Sequence, residues 1–236
     1  MGVTQARGPF RAAVLASGGG SNFQSLINHV ASGDRTWSIN LLVMNREQGA
    51  ARRARSAGVP IHIIPTKGRE VSEIAQETLR VLDEHAIDIV LLAGYLRCIP
   101  SEVTSRFSGR ILNIHPALLP EFGGPGMYGM NVHRAVAESE SAMIGATIHF
   151  VSERYDEGTI LGQWRMSRCP EDSAEEIAAK VLKIEHRLYP AAVDHLCDAL
   201  LAGTRPERMV DVDVKQSFEE HHRKSSTSIE LTEEIQ

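Results

Sequence analysis

Arg11-Ala12-Ala13-Val14-Leu15-Ala16-Ser17-Gly18-Gly19-Gly20-Ser21-Asn22 decides the fold class. The run from Arg11 to Ala16 is almost wholly apolar, as suits a parallel strand buried on both faces. Past the glycines, Phe23, Leu26, Ile27 and Val30 fall at i, i+3, i+4 and i+7, the stripe of an amphipathic helix. Ser21 and Gln24 have the spacing of a capping box that would open that helix. Strand, glycine turn and helix begin a βα unit. Such a turn gathers free backbone N–H groups and the positive end of the helix dipole, which together favour an anion. Three consecutive glycines exceed what a connecting turn needs, so the stretch reads as a phosphate cradle. It has neither the G-x-G-x-x-G spacing nor the lysine of a P-loop. A single phosphate monoester therefore fits better than a dinucleotide or a nucleoside triphosphate.

The alternation continues downstream. A strand is expected over 39–44, a helix over 48–57 closed by Gly58, and a strand over 60–64. Val71, Ile74, Ala75, Leu79 and Leu82 mark the buried stripe of the next helix, and 87–93 is again an apolar strand. This order predicts an α/β fold: an open, mostly parallel twisted sheet with helices on both faces, Rossmann-like in its N-terminal half. Ligands of such sheets bind outside the carboxyl ends of the strands. Further on, a short helix runs to Phe107 with Pro100 at its first position. A helix over 132–138, an alternating strand over 145–151, a turn over 152–158 and a returning strand over 159–166 follow. Ser173 and Glu176 make a second capping box, for a helix to Tyr189 whose stripe is Ile177, Val181, Ile184 and Leu188, with Glu185 beside it. A separate helix over 191–201 and an edge strand over 209–214 complete the expectation.

A second stretch bears on chemistry. Arg110-Ile111-Leu112-Asn113-Ile114-His115-Pro116-Ala117-Leu118-Leu119-Pro120 starts as a short apolar run and stops at prolines, which cannot continue a sheet ladder. Asn113 and His115 are two apart, so on a strand both project to one face. An imidazole that exchanges protons beside an amide that hydrogen-bonds an oxyanion suits acyl transfer. Alone, the stretch reads better as a polar strand end with two satisfied side chains. Its position changes the weighing, because the glycine loop, 94–99 and 113–120 all fall at one sheet edge. The segment 116–130 has no periodicity and is rich in glycine and proline; loops of that length in a compact domain usually serve a function. Asp156 lies in a predicted turn, where aspartate is most often a turn former.

Composition narrows the classes. The 236 residues suit one large domain or two small ones. The expected division is a flexible 1–9, a single domain over 10–214 with halves 10–109 and 110–214, and a mobile, charged tail over 215–236. A formal net charge of -5 removes the electrostatic case for nucleic acid. Arg52, Arg53 and Arg55 read as a solvated helix face. Three cysteines without a C-x-x-C pair fit a reduced, cytoplasmic protein. No zinc spacing occurs, His221-His222 reads as solvated, and no metal is expected. Residues 1–9 lack the apolar core of a signal peptide, and no run is long enough to span a bilayer.

Ser17-Gly18-Gly19-Gly20-Ser21-Asn22, Leu92-Ala93-Gly94-Tyr95-Leu96-Arg97, Asn113-Ile114-His115-Pro116-Ala117-Leu118-Leu119-Pro120, and His149-Phe150-Val151 followed by Asp156-Glu157-Gly158 occur in the order seen in phosphoribosylglycinamide formyltransferases. The chain resembles that family over residues 10–205. The resemblance implies the formyltransferase fold and transfer of a formyl group from 10-formyltetrahydrofolate to the amine of 5'-phosphoribosylglycinamide, through an oxyanionic tetrahedral intermediate. It implies that Asn113 donates to the oxyanion. His115, transiently protonated, would help to hold it, and Asp156 would raise the imidazole's proton affinity. Gly20, Ser21 and Asn22 would hold the substrate phosphate, and Glu185 would accept bonds from the ribose hydroxyls. Leu96, Arg97, Cys98, Ile99 and Val151 would line the folate pocket, and Arg69 would meet the folate's glutamate tail. His149 is either a support for Asp156 or a polar strand residue. The implied partners are these two small molecules, with neither nucleic acid nor membrane and with a homodimer left open.

The chain departs from compact members of the family in a longer, glycine-rich segment between Pro120 and His133, as in a longer-loop subgroup, and in Thr159 where many members carry proline. Three rivals are weighed. A 10-formyltetrahydrofolate hydrolase would use the same catalytic set with water as acceptor, but usually carries an N-terminal regulatory domain. A methionyl-tRNA formyltransferase would usually add a C-terminal domain and a basic surface. A catalytically silent nucleotide- or folate-binding module would keep the glycine loop without needing Asn113, His115 and Asp156 together.

Overall fold

The computed structural model describes residues 9–210 and the backbone of 212–213. The expectations for the N-terminal segment, the 215–236 tail and His221-His222 fall outside those residues. In chain order the elements are β1 (Phe10–Ala16), α1 (Ser21–Ala31), β2 (Trp37–Met44), α2 (Gly49–Ser56), β3 (Ile61–Ile63), α3 (Val71–Glu84) and β4 (Ile89–Leu92). Then come α4 (Ser101–Arg106), β5 (Ile111–His115), α5 (Met130–Glu138), β6 (Met143–Phe150), β7 (Ile160–Ser167), α6 (Ala174–Leu201) and β8 (Val212–Asp213).

One sheet runs β3-β2-β1-β4-β5-β6-β7-β8. Its first five strands are parallel, β6 is antiparallel to both neighbours, and β8 pairs parallel with β7. The fold is therefore α/β, open and mostly parallel. The apolar run of β1 feeds two cores, as its lack of alternation requires. Ala12, Val14 and Ala16 face the core built with α1, α2, α5 and α6, while Ala13 and Leu15 face the one built with α3 and α4. The chain steps outward from β1 to β2 and β3, then crosses back to β4 on the other side of β1. That reversal opens a crevice at the carboxyl ends of β1 and β4.

Four expectations are corrected. The strand expected to alternate, β6, is buried from Ile144 to His149 on both faces. The α5–α6 core covers Ile144, Ala146 and Ile148. The loop after β5 covers the other face: Thr147 Oγ1 donates to the Ala117 carbonyl at 2.7 Å and accepts the Leu119 N–H at 3.1 Å. Secondly, the two helices expected either side of Pro190 are one, α6. Proline costs an interior helix roughly 3 kcal/mol. Here Leu188, Tyr189, Ala192 and Val193 bury against the same core on both sides of it, and that packing holds the axis together. Thirdly, Val71 is 63% exposed rather than part of a buried stripe, because it is the first residue of α3 and the helix seats through Ala75, Thr78, Val81 and Leu82. Pro100 caps α4 from outside instead of occupying its first helical position.

The capping box of α6 forms as expected. Ser173 Oγ accepts the Glu176 N–H at 3.2 Å, and Glu176 Oε2 accepts the Ser173 N–H at 2.8 Å. Farther along α6, the buried Tyr189 hydroxyl lies 3.0 Å from the Leu92 carbonyl and 3.1 Å from that of Leu112, tying the helix to the ends of β4 and β5. Among the described residues no helix is long and apolar enough to cross a membrane.

Candidate active site

The crevice starts at the glycine loop. Ser17 donates its N–H to the Gly94 carbonyl at 3.1 Å, and its hydroxyl accepts the Leu96 N–H at 3.0 Å, so the loops after β1 and β4 are tied together. Gly20, with φ of 73°, takes the N-cap position of α1. A Cβ there would meet Ala50 Cβ at 2.7 Å, so α2 packs on the loop only because the residue is glycine. The expected Ser21–Gln24 capping box does not form. The left-handed turn at Gly20 makes Ser21 the first helical residue, and no side chain caps the helix. Gln24 instead donates to Asn28 Oδ1 at 2.9 Å and accepts from Arg53 Nη1 at 3.0 Å. Arg53 also donates from Nε to the Gly19 carbonyl at 2.9 Å, bringing a cation to the loop.

Asn22 turns from this loop toward α6. Its Nδ2 donates to Glu185 Oε2 at 2.8 Å. Glu185 is 6% exposed. Burial pushes its carboxyl up to about 7, against the opposing pull of the Asn22 bond. Asn22 Oδ1 is buried and has no hydrogen-bond partner among the described residues.

Alternation along β5 puts Leu112 and Ile114 into the α1–α6 core, and Asn113 and His115 on the opposite face with Ile111. Antiparallel pairing sets Asn113 opposite His149 of β6. His149 Nδ1 is 2.9 Å from the Phe150 carbonyl, which can only accept, so Nδ1 carries a proton. Its Nε2, 3.0 Å from Asn113 Nδ2, then accepts from the amide. That bond fixes the orientation of Asn113 and leaves its second Nδ2–H to donate elsewhere. By the same logic His115 donates from Nε2 to the Phe122 carbonyl at 2.7 Å, which makes Nδ1 the titrating atom. Nδ1 lies 3.6 Å from Asp156 Oδ2.

Asp156 closes the set. Its Oδ1 is 3.5 Å from His149 Nε2, and its Oδ2 accepts the Gly124 N–H at 3.0 Å. Its φ of 56° is left-handed, a strained conformation for a residue with a Cβ. Gly158 holds the turn closed, since a Cβ there would overlap the Phe150 carbonyl. Burial raises the Asp156 carboxyl, but the His115 charge and the Gly124 N–H act against it, and the net shift is downward. His115 moves down as well: burial is the largest influence, and Asp156 and the Phe122 carbonyl oppose it without offsetting it. The expectation that Asp156 raises the proton affinity of His115 holds for that one interaction; the imidazole as a whole is biased toward the neutral form.

The sequence matches the formyl transferase family over residues 10–193. It is 43% identical to the chloroplastic phosphoribosylglycinamide formyltransferase of Arabidopsis thaliana, over 89% of this chain and 73% of that protein. The chain belongs to the phosphoribosylglycinamide formyltransferase family. The protein of the same name from Vigna unguiculata is 44% identical over 79% of this chain, which spans 60% of its length. The crystal structure of phosphoribosylglycinamide formyltransferase from Brucella melitensis superposes with a TM-score of 0.73, at 35% identity, over 81% of this chain and 96% of that one.

In this formyltransferase a cleft of about 600 Å³ joins the parts. Asn22, Glu185, Asn113, His115 and Asp156 line it. Leu96, Arg97, Cys98, Ile99 and Val151 line it too, with Tyr95, Tyr128 and Tyr155. Three expected residues are not part of this lining. Gly20 sits at the N-cap of α1. Ser21 lines a second cleft of about 710 Å³ outside the glycine loop, with Arg53, His186 and Arg187. Arg69, on the segment after β3, is paired to Glu77 at 2.6 Å and is not part of the cleft wall. His133 of α5 was not anticipated: it lines the cleft, its Nδ1 is buried without a partner among the described residues, and burial and the neighbouring His115 lower its pKa. A lone histidine on an amphipathic helix carries no sequence signal of this. Among the described residues no group of three or more His, Cys, Asp or Glu side chains is arranged to hold a metal ion.

Proposed function

We propose that the protein transfers the formyl group of 10-formyltetrahydrofolate to the primary amine of 5'-phosphoribosylglycinamide, the step of purine biosynthesis for which its relatives are named. The observation that carries this reading is one cleft lined at once by the Asn22–Glu185 amide–carboxylate pair, the Asn113–His115–Asp156 set and three tyrosines. The amine attacks the formyl carbon, and the carbonyl oxygen becomes an oxyanion. Asn113 donates its free Nδ2–H to that oxygen. Neutral His115 takes a proton at Nδ1, and the ionised Asp156 stabilises the imidazolium. The folate nitrogen then leaves with a proton as the carbonyl re-forms. The backbone N–H groups at Gly20, Ser21 and Asn22 hold the phosphate, Glu185 holds the ribose, and Leu96 to Ile99 with Val151 receive the folate. All three cysteines are free, which suits the cytoplasm as its compartment.

The discriminating experiment supplies 10-formyltetrahydrofolate with and without 5'-phosphoribosylglycinamide and follows folate release. Turnover is expected only with the amine present. Equal turnover in water alone would replace the transferase by a hydrolase.

A further inference from the structure

The parallel register of β1 with β4 ends at Leu15 and Leu92. Ser17 carries the connection farther. Its N–H donates to the Gly94 carbonyl at 3.1 Å, and its hydroxyl oxygen accepts the Leu96 N–H at 3.0 Å, so a side chain extends a backbone ladder. Ser17 is 5% exposed and lies outside the lining of the cleft, so it meets no substrate. The segment it holds, Leu96 to Ile99, is cleft wall. In the other direction Ser17 leads into the glycine loop, which α2 anchors. The Gly18 carbonyl accepts the Ala50 N–H at 3.1 Å, and the Gly19 carbonyl accepts from Arg53 Nε at 2.9 Å. Consecutive glycines lose more backbone freedom on ordering than other residues, so an anion bound to their N–H groups must bring that order about. A second ligand that needs the same order then binds with a smaller entropic loss.

We infer that Ser17 is a positioning residue that couples the two substrates: a phosphate on the glycine loop fixes the Ser17 hydroxyl, which fixes the Leu96 N–H and with it the wall that receives the folate. This rests on the proposed reading of the glycine loop as phosphate site and of Leu96 to Ile99 as folate wall, and adds that the two are not independent. The coupling is reciprocal, so bound folate tightens the nucleotide by the same factor. Ser17→Ala removes the acceptor and keeps the backbone bond to Gly94. The Leu96 N–H then no longer follows the glycine loop.

The test is calorimetric titration of 5'-phosphoribosylglycinamide and of tetrahydrofolate, each with and without a saturating amount of the other. That pair holds no formyl group and cannot react. In the wild type each ligand is expected to tighten the other about three- to tenfold, the range of one hydrogen bond. In Ser17→Ala the factor should drop below about 1.5, with each ligand's affinity on its own within about threefold of wild type. Ser17→Thr keeps the acceptor and should restore the factor. A role in stability alone would lower the melting temperature of Ser17→Ala and leave the factor at its wild-type value, which would overturn the inference. Hydrogen exchange reads the same link with one ligand. Adding the nucleotide should slow exchange of the Leu96 amide in the wild type and not in Ser17→Ala; no change in the wild type would equally overturn it. Deformylation of 10-formyltetrahydrofolate in water alone would remove the transferase reading, yet a coupling abolished by Ser17→Ala would stand. Amine-dependent turnover with independent binding of the two ligands would do the reverse.

Discussion

Asp156 acts as a largely buried carboxylate, strained in its backbone and held at one oxygen by the Gly124 N–H. Its charge stabilises a proton on His115 Nδ1, 3.6 Å away. Asp156→Asn keeps the shape and removes the charge. The expected result is a fall in kcat of roughly 10²–10⁴ with nucleotide affinity within a few-fold of wild type, read from steady-state kinetics and direct binding. The pH profile supplies a sign. In the proposed mechanism His115 works from its neutral form, so the rate falls as pH drops through its pKa, which burial already places below the ordinary value. Removing the Asp156 charge takes away an influence that raises that pKa, so the acid limb should move to lower pH. A limb that stays in place would separate Asp156 from the proton transfer. At this scale the sequence was only partly legible. Asn113 and His115 could be read as sharing a face because strand periodicity is two. Asp156 came only through the resemblance, since an aspartate in a turn is generic. His133 gave no signal, because its place beside His115 arises from α5 folding back over β5.

The turn between β6 and β7 is the element that delivers Asp156. It is closed by the Phe150 N–H donating to the Thr159 carbonyl at 2.9 Å and by Gly158 lying on the Phe150 carbonyl. Gly158→Ala adds one methyl where no space exists. Overpacking of this kind costs about 1–3 kcal/mol, and here the strain is relieved by displacing the turn. The expected outcome is a lower melting temperature together with a loss of kcat/KM greater than tenfold, while affinity for the sugar phosphate stays within a few-fold of wild type. Full activity would mean that the turn does not set the position of Asp156. Elements were legible in proportion to how local their causes are. β1 and α1 were recovered because burial on both faces and a helical stripe are written in consecutive residues. The junction of α6 was misread because proline is a local breaker, and the packing that overrides it comes from distant strands. β6 was misread because the covering loop, 116–120, carries no periodicity.

Over the whole molecule, Glu185 opposes folding. In the unfolded chain it ionises near its ordinary value of 4.5, and in the fold at about 7. Between those values the folded state keeps a proton that the unfolded state has lost, so stability falls as pH rises through the window and levels off above it. The accumulated cost above pH 7 is on the order of 3 kcal/mol. Glu185→Gln should therefore be the more stable protein at pH 8, with little difference at pH 4.5, in urea unfolding of the ligand-free chain. Identical pH slopes for the two proteins would contradict the assignment. The same buried carboxyl has a consequence for anyone measuring affinity. Near pH 7 the empty cleft holds Glu185 as a mixture of acid and carboxylate, whereas hydroxyl donors favour the carboxylate. With Glu185 holding the ribose, as proposed, sugar binding expels a fraction of a proton into the medium. The observed heat must include the ionisation enthalpy of whatever buffer catches that proton, and the apparent affinity becomes tighter in more alkaline surroundings.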